Sequence, residues 1–523
     1  MPESRSFLAL AARLACFSGL SRALGLVRDL CIAWIMGTGP LADMLAQALR
    51  LPHIFRRLLA EGVLSLPLTQ AFMQGGGSSL PSDCLPAQLF TVLHRKLLFL
   101  LLPLLLLALL FSPLLARLLA GSFLPPAPAL VLLLCLVLPY LFCVCMAALC
   151  MAYLHAQNVF WVSAFSPVLF NILLLLALFL AHLFPRDASL LIALALTLSG
   201  GVQWLFQRHF ALRCVLAAEV KKLDGSERLG DTCQLRAHSI LRSLPLGLFA
   251  SSGQHLCLLV TMCALSAGSS GQASALMYAE RILELPLGII GVCLGTASLP
   301  LFGRAAARGA HLRVRRLLDC ALHMTWLLIL PATSGLWAIG MTLAEVLFGH
   351  GEMDAEGVRV TAEMLIRLLP LLPACAILRV LLTAVLAERG LFSAFFSTLL
   401  AVCVTFVCCL LGLHPAYAAA CGLYLQTGLF FFWLRHLFVS TQAAARPSVR
   451  RLCFIVRALL CAALTGLAAF FCLSGTAGPG DAGETGLFQL GCALAAGLLI
   501  WLLSLAYLCP REIARLRRRF VRS

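Results

Sequence analysis

The chain has 523 residues, of which 61% are hydrophobic and 12% charged, and its formal net charge is +17. A soluble domain carries about 25% charged residues and could not bury this much apolar surface, so the composition excludes a water-soluble globular protein. A basic excess of this size also raises nucleic acid as a partner, a reading that the placement of the charges removes.

Apolar runs of bilayer length, about 20 residues, begin near the N-terminus. The first, 7–36, contains Arg13, outlasts the apolar core of a secretory signal and shows no cleavage site, so it is expected to be a retained helix. Within it, SRALGLVRDL (21–30) carries Arg22, Arg28 and Asp29. A charge at the centre of a membrane helix costs roughly 2.5–3.5 kcal/mol on insertion scales, so these three need a reason to be there. Arg22 and Asp29, seven residues apart, fall within about 20° on one helix face, and Arg28 lies about 100° away.

The second run, 42–72, places Asp43, Arg50 and Arg57 at seven-residue intervals, with Arg56 beside the stripe and Glu61 four residues after Arg57. Pro52 is expected to kink it. Apolar runs follow at 90–118, 129–155, 159–184 and 188–213, then a basic segment at 216–235. Further runs occupy 236–265 and 271–302, the latter with Glu280, Arg281 and Glu284 ahead of Pro286. The remaining runs are 314–347, 358–388, 391–412, 415–440, 449–474 and 485–508. The expected fold is an all-α polytopic membrane protein of about fourteen spanning helices.

The 23 cysteines lie mostly within apolar runs, as in LFCVCMAALC (141–150), and read as small hydrophobes. Paired CxxC spacing suited to zinc is missing, so neither a metal site nor disulfides are expected, and no cofactor is called for.

Alternate loops differ in charge. One set holds Arg95 and Lys96, then Lys221, Lys222, Arg228 and Arg236, then Arg304 to Arg316, then Arg446, Arg450 and Arg451, and finally the tail RLRRRF (515–520). The other set, including SAGSSGQ (266–272), HGEMDAEG (350–357) and SGTAGPGDAGETG (474–486), is neutral or acidic. The positive-inside rule then places both termini in the cytoplasm, and the basic excess is a topology signal rather than a nucleic-acid footprint.

AYLHAQNVFWVSAF (152–165) echoes AVLAERGLFSAF (384–395) at an offset near 230 residues. With short loops this suggests two six-helix lobes, 1–215 and 236–440, joined by the 216–235 linker and related as a parallel repeat. Residues 441–523 add two further helices and a basic tail.

Three readings of the intramembrane charges stand. They snorkel from helix ends, which suits Arg13, Arg117, Arg208 and Arg213. They form structural ion pairs between helices. Or they line a water-filled cavity between the lobes and bind an anion, for which the planar, permanently charged guanidinium is well matched to phosphate.

The segment SRALGLVRDLCIAWIMGTGPLADMLAQALRLPHIFRRLLAEGVLS (21–65) resembles the N-terminal signature of the MurJ/MviN family, within the multidrug/oligosaccharidyl-lipid/polysaccharide (MOP) exporter superfamily. ERILELPLGIIGVCLGTASLP (280–300) and SAFSPVLFNI (163–172) are similar to further family motifs. The resemblance implies a MOP/MATE-like arrangement that translocates lipid II, the undecaprenyl-pyrophosphate-linked disaccharide-pentapeptide, across the bacterial cytoplasmic (inner) membrane. It implies Arg22, Arg28, Asp43, Arg56 and Arg281 as substrate-binding residues, with Asp29, Glu61, Glu280 and Glu284 as supporting polar groups or ion-coupling acids. Either the membrane potential or a monovalent cation would reset the empty transporter. Membrane lipids and cell-wall synthesis proteins are the further partners of such a role. The last two helices would form a groove for the lipid tail, with Ala462 and Gly466 among its small residues. Arg50 and His53 depart from the family's usual Lys or Arg and Asn at those places, and keep their polar character.

Rival functions ask for other residues. The nearest rival is a multidrug or O-antigen exporter of the same superfamily. A drug-cation exporter should have a net acidic cavity, whereas this one is net basic. A non-transporting scaffold would not need its cavity arginines more than its surface ones. A polyprenyl-phosphate glycosyltransferase would need a paired-carboxylate metal motif or a large soluble loop, and the sequence has neither.

The charge pattern makes a topological prediction. Single cysteines placed in 221–232 and 304–316 of a cysteine-free variant should be labelled only from the cytoplasmic side, and those in 350–357 and 474–486 only from outside. Labelling of 304–316 from outside would overturn the two-lobe scheme.

Overall fold

A computed structural model describes residues 2–60, 65–73, 86–121, 127–220, 230–292, 302–303, 305–306, 308–435, 447–476 and 484–508. Glu61, the 221–229 part of the expected linker, Arg304, Arg446 and the basic tail lie outside these residues. The described elements are helical, with no strand among them. Nine of the described helices are long and apolar enough to cross a membrane, or ten if Cys233–Ser251 and Gly253–Ser266 form one span bent by 63°. This is a multi-pass membrane protein.

The difference from the fourteen spans read off the sequence falls where a run is charged or broken. Pro40–Ala60 carries Asp43, Arg50, Arg56 and Arg57 within 21 residues, too many for an apolar span. Gln272–Pro286 ends after 15 residues, and a π-helical turn, Leu287–Val292, follows the proline. A proline lacks the N–H that would continue the α-helical ladder, and wider turns commonly absorb such a break. The 129–155 run, built from Pro128–Val137 and Pro139–Ala156, still counts as one span.

The described chain forms two compact units. The first comprises Met1–Ser252 with Met262–Ser274 and Gly351–Met353. Its core includes the fully buried Phe72, Phe90 and Tyr153, with Phe90 stacked on Tyr153 at 4.5 Å between centroids and Phe72 set edge-on to Tyr153 at 5.5 Å. Offset and edge-to-face contacts of this kind favour a fixed ring arrangement over a loosely filled interior.

The second unit comprises Gly253–Thr261, Ala275–His350 and Asp354–Ser523. Its Leu391–Leu410 and Pro415–Trp433 helices approach closely because Gly422 has no side chain. A Cβ there would collide with Thr405 Oγ1 and lie 2.5 Å from the Ala401 carbonyl oxygen. The seam is polar as well as small: Gln426 Nε2 donates to Thr398 Oγ1 at 2.7 Å, and Trp433 Nε1 donates to Ser397 Oγ at 3.0 Å. Small and hydrogen-bonding residues are what membrane helix pairs use where burial from water provides no drive.

Pro447–Thr476 and Glu484–Leu508 pack on the long His311–Phe348 helix through Leu327, Phe454 and Ala458 at one level and Ile339, Ala469, Leu490 and Ala493 at another. Here one expectation needs correcting. Ala462 and Gly466 do not line an open groove. Ser334 Oγ donates to the Ala462 carbonyl at 2.6 Å, and a Cβ on Gly466 would lie 3.1 Å from Ser334 Cβ. These small residues are needed for helix packing. A second correction concerns cysteine. Cys233 is disulfide-bonded, whereas eighteen described cysteines are free. Spatial approach decides such a bond, and sequence spacing gives no view of it.

The Gly422 seam yields a test. Gly422→Val should destabilise the protein by about 1–3 kcal/mol through overpacking, lowering its thermal midpoint in detergent. Gly428→Val, on the same helix but with open space around its Cα, should leave the midpoint unchanged. Equal midpoints for the two variants would refute the close approach.

Candidate functional site

Arg28 lies on Pro2–Met36 and is buried, with 4% of its surface exposed. Its Nε and Nη2 both donate to Asp29 Oδ1, at 2.9 and 2.6 Å. Adjacent residues on a helix do not face each other; the length of the arginine lets it curl back to its neighbour. Its Nη1 donates to Asn171 Oδ1 at 2.8 Å, and Asn171 Nδ2 donates in turn to the Ser21 carbonyl at 2.9 Å. Asn171, on Phe160–Leu183, therefore ties Arg28 and the backbone of the first helix together. Three of the five guanidinium N–H groups are engaged in these bonds, which leaves two.

Arg56 reaches the same place from Pro40–Ala60. Its Cζ stands 5.4 Å from the centre of the Phe170 ring, and Arg28 Cζ stands 5.9 Å from the same centre. Both distances suit a cation on an aromatic face. Tyr140 packs against Phe170 with ring centroids 5.8 Å apart. It fits because residue 200 is glycine: a Cβ there would sit 2.5 Å from the tyrosine ring. The Tyr140 hydroxyl is fully buried and has no hydrogen-bond partner among the described residues. The cluster thus holds two guanidiniums, one carboxylate that pairs with Arg28, and an unpaired hydroxyl. Such a set favours an anion with oxygen acceptors.

The other sequence candidates are placed differently. Arg22 is exposed on the first helix. Asp43 is buried, and its two oxygens are occupied: Oδ2 accepts from the Gly271 N–H at 2.6 Å, and Oδ1 accepts from the Ser274 N–H at 2.7 Å and Ser274 Oγ at 2.8 Å. It caps the first turn of Gln272–Pro286 from another helix, satisfying amides that a helix start leaves without partners. That geometry makes it a structural carboxylate rather than the open ligand contact expected from the sequence. Arg50, one heptad on, is also buried.

In the second unit Arg281 Nη1 lies 3.4 Å from Glu284 Oε2, one helical turn on. Glu280 and Glu284, with Gln254, help to line a cavity of about 20 Å³, the room a single water needs. Among the described residues no three His, Cys, Asp or Glu side chains gather as a metal site.

Asn171, Phe170, Tyr140 and the Gly271–Ser274 turn were not singled out from the sequence. Asn171 had a signal, a lone amide in the apolar SAFSPVLFNI segment. The aromatic residues had none, since rings in an apolar run look like core.

The chain has many relatives. The sequence profile of the family described as "Lipid II flippase MurJ" matches residues 32–486. The lipid II flippase MurJ of Burkholderia cenocepacia is 27% identical over 67% of this chain and 67% of its own. A protein of Buchnera aphidicola named "Probable lipid II flippase MurJ" is 28% identical over 66% of each chain. The chain spans about two thirds of the length of such curated relatives. Among solved structures, a lipid II flippase MurJ in an inward closed conformation superposes with a TM-score of 0.72 at 17% identity, covering 96% of this chain and 99% of that one. An inward-facing multidrug resistance MATE transporter of the MOP superfamily gives a TM-score of 0.57 at 15% identity, covering 80% and 94%. The profile runs from within the first helix to the start of the last one, and so this chain belongs to the MurJ family.

Proposed function

We propose that the protein is a flippase that carries lipid II from the inner to the outer leaflet of the bacterial cytoplasmic membrane. The observation that carries this reading is the Arg28–Arg56 cluster, a cationic site set among apolar helices in a MurJ-family chain. A drug-cation exporter would need the opposite charge there. The two N–H groups left on Arg28, and those of Arg56, offer planar donors to pyrophosphate oxygens while the undecaprenyl chain stays in lipid. Arg22 and, in the second unit, Arg281 are also assigned to substrate contact, and Asp43 holds the Gly271–Ser274 turn. No bond is made or broken, so the role is transport and no residue is catalytic. Alternating access to the two sides moves the headgroup.

The cationic site must also return empty. The membrane potential, worth about 2.3 kcal/mol per charge per 100 mV, or a monovalent cation would drive that step. Glu280 and Glu284, beside a water-sized cavity, are the acids assigned to coupling. The loop charges support a cytoplasmic side for both termini.

The test uses labelled lipid II, with binding measured in detergent and flipping in vesicles, at matched amounts of folded protein. Arg28→Lys keeps the charge but loses the fork, and should weaken binding about tenfold, the worth of a charge-assisted hydrogen bond. Arg28→Ala and Arg56→Ala should abolish flipping. Arg213→Ala, at an exposed residue over Phe210, should not. If Arg28 serves only as an ion-pair partner, the double variant Arg28→Ala/Asp29→Ala would restore flipping, because removing both members of a buried pair is tolerated better than removing one. Wild-type binding and flipping by both single alanine variants would overturn the anion-site reading.

A further inference from the structure

We infer that Phe170 is a positioning residue of the anion site, holding the Arg28 and Arg56 guanidiniums ready while the site is empty. The inference rests on the proposal that these arginines bind the pyrophosphate. Phe170 is buried, with 2% of its surface exposed, and both guanidinium carbons lie within 6 Å of its ring centre. Among the described residues the one carboxylate hydrogen-bonded to either arginine is Asp29, and it is bonded to Arg28. Among the described residues Arg56 makes no ion pair. Two like charges in an apolar bundle repel more strongly than in water, and Asp29 offsets only part of the repulsion that Arg28 exerts on Arg56.

An aromatic face provides a partner without adding a charge. The ring quadrupole attracts the flat face of a guanidinium, and the hydrogen-bond donors lie along its rim, so the ring and a phosphate can be held together. A carboxylate in the place of Phe170 would hold Arg56 as well, but would take the rim donors and cancel the charge needed for the substrate. The surroundings fix the ring. Tyr140 packs against Phe170, the missing Cβ of Gly200 makes room for Tyr140, and the next residue, Asn171, accepts from Arg28. Phe170 therefore arrives with Asn171 on one stretch of helix, one addressing the faces of the cations and the other the edge of Arg28.

Packing alone and cation attraction can be separated at this position by a fluorinated phenylalanine series, because fluorine drains the ring quadrupole with little change in shape. Full-length protein carrying phenylalanine, its mono- and trifluoro forms or its pentafluoro form at residue 170 should be purified in detergent. Lipid II affinity is then titrated for each, alongside Phe170→Leu, Arg28→Ala and Arg56→Ala. Affinity should fall in step with fluorine number, reaching about fivefold for the pentafluoro ring, with the thermal midpoint near that of the parent. The near-isosteric pentafluoro form keeps the test open even if Phe170→Leu does not fold. Parental affinity in the pentafluoro protein, together with lost affinity in Arg56→Ala, would overturn the role of Phe170 and leave the anion site standing. Parental affinity in both arginine variants would instead remove the anion site itself.

Discussion

Arg28 has to be held, and the polar organisation of the first unit follows from how that is done. A guanidinium taken out of water loses several kcal/mol of hydration, recovered only with good geometry and satisfied donors. Asp29 supplies charge and Asn171 supplies a neutral acceptor. Because Asn171 also donates to Ser21, fixing the arginine also fixes Phe160–Leu183 against the first helix. That contact brings Phe170 to Arg56 and beside Tyr140, whose place requires glycine at 200. The sequence of dependencies runs outward from one buried cation.

The arrangement explains how a site can be cationic without being unstable. A second carboxylate would stabilise Arg56 more than a ring does, yet it would leave no net charge for a substrate. An aromatic face is a weaker partner and leaves the charge in place. The second unit is built differently. Its Arg281 and Glu284 share one helix at 3.4 Å, and the two glutamates lie beside a small cavity rather than an aromatic wall. The two units thus surround their charges differently, one with an aromatic ring and the other with a water-sized space.

The membrane class and most helix positions were legible in the sequence because repeated apolar runs of bilayer length fit no water-soluble fold. Arg28 was legible too, since a charge in such a run is conspicuous. Its partners were harder to see. Asn171 is 143 residues away, and nothing in local spacing joins the two. Phe170 and Tyr140 carry no polar signal that separates a cation platform from ordinary packing. Asp43 was found, but its use was not: a carboxylate on a heptad stripe looks like a ligand contact until Gly271 and Ser274 arrive at its oxygens. Ala462 and Gly466 were misplaced for a related reason. Small residues suit either a groove or a tight helix contact, and only Ser334 decides between them.

The Asp43 cap also sets a schedule for biogenesis. Its partner Ser274 lies 231 residues later in the chain, so at 5–20 residues per second the ribosome takes about 12–46 s to supply it. Throughout that interval the nascent second helix holds an acid whose intended amides have not been made. The first unit is therefore not a module that closes once its own helices have emerged. It also takes in Met262–Ser274 and Gly351–Met353, so it can only be finished after residue 353 has been translated. Until then the carboxylate must find other partners. A stalled or truncated chain would expose a half-built bundle to membrane quality control.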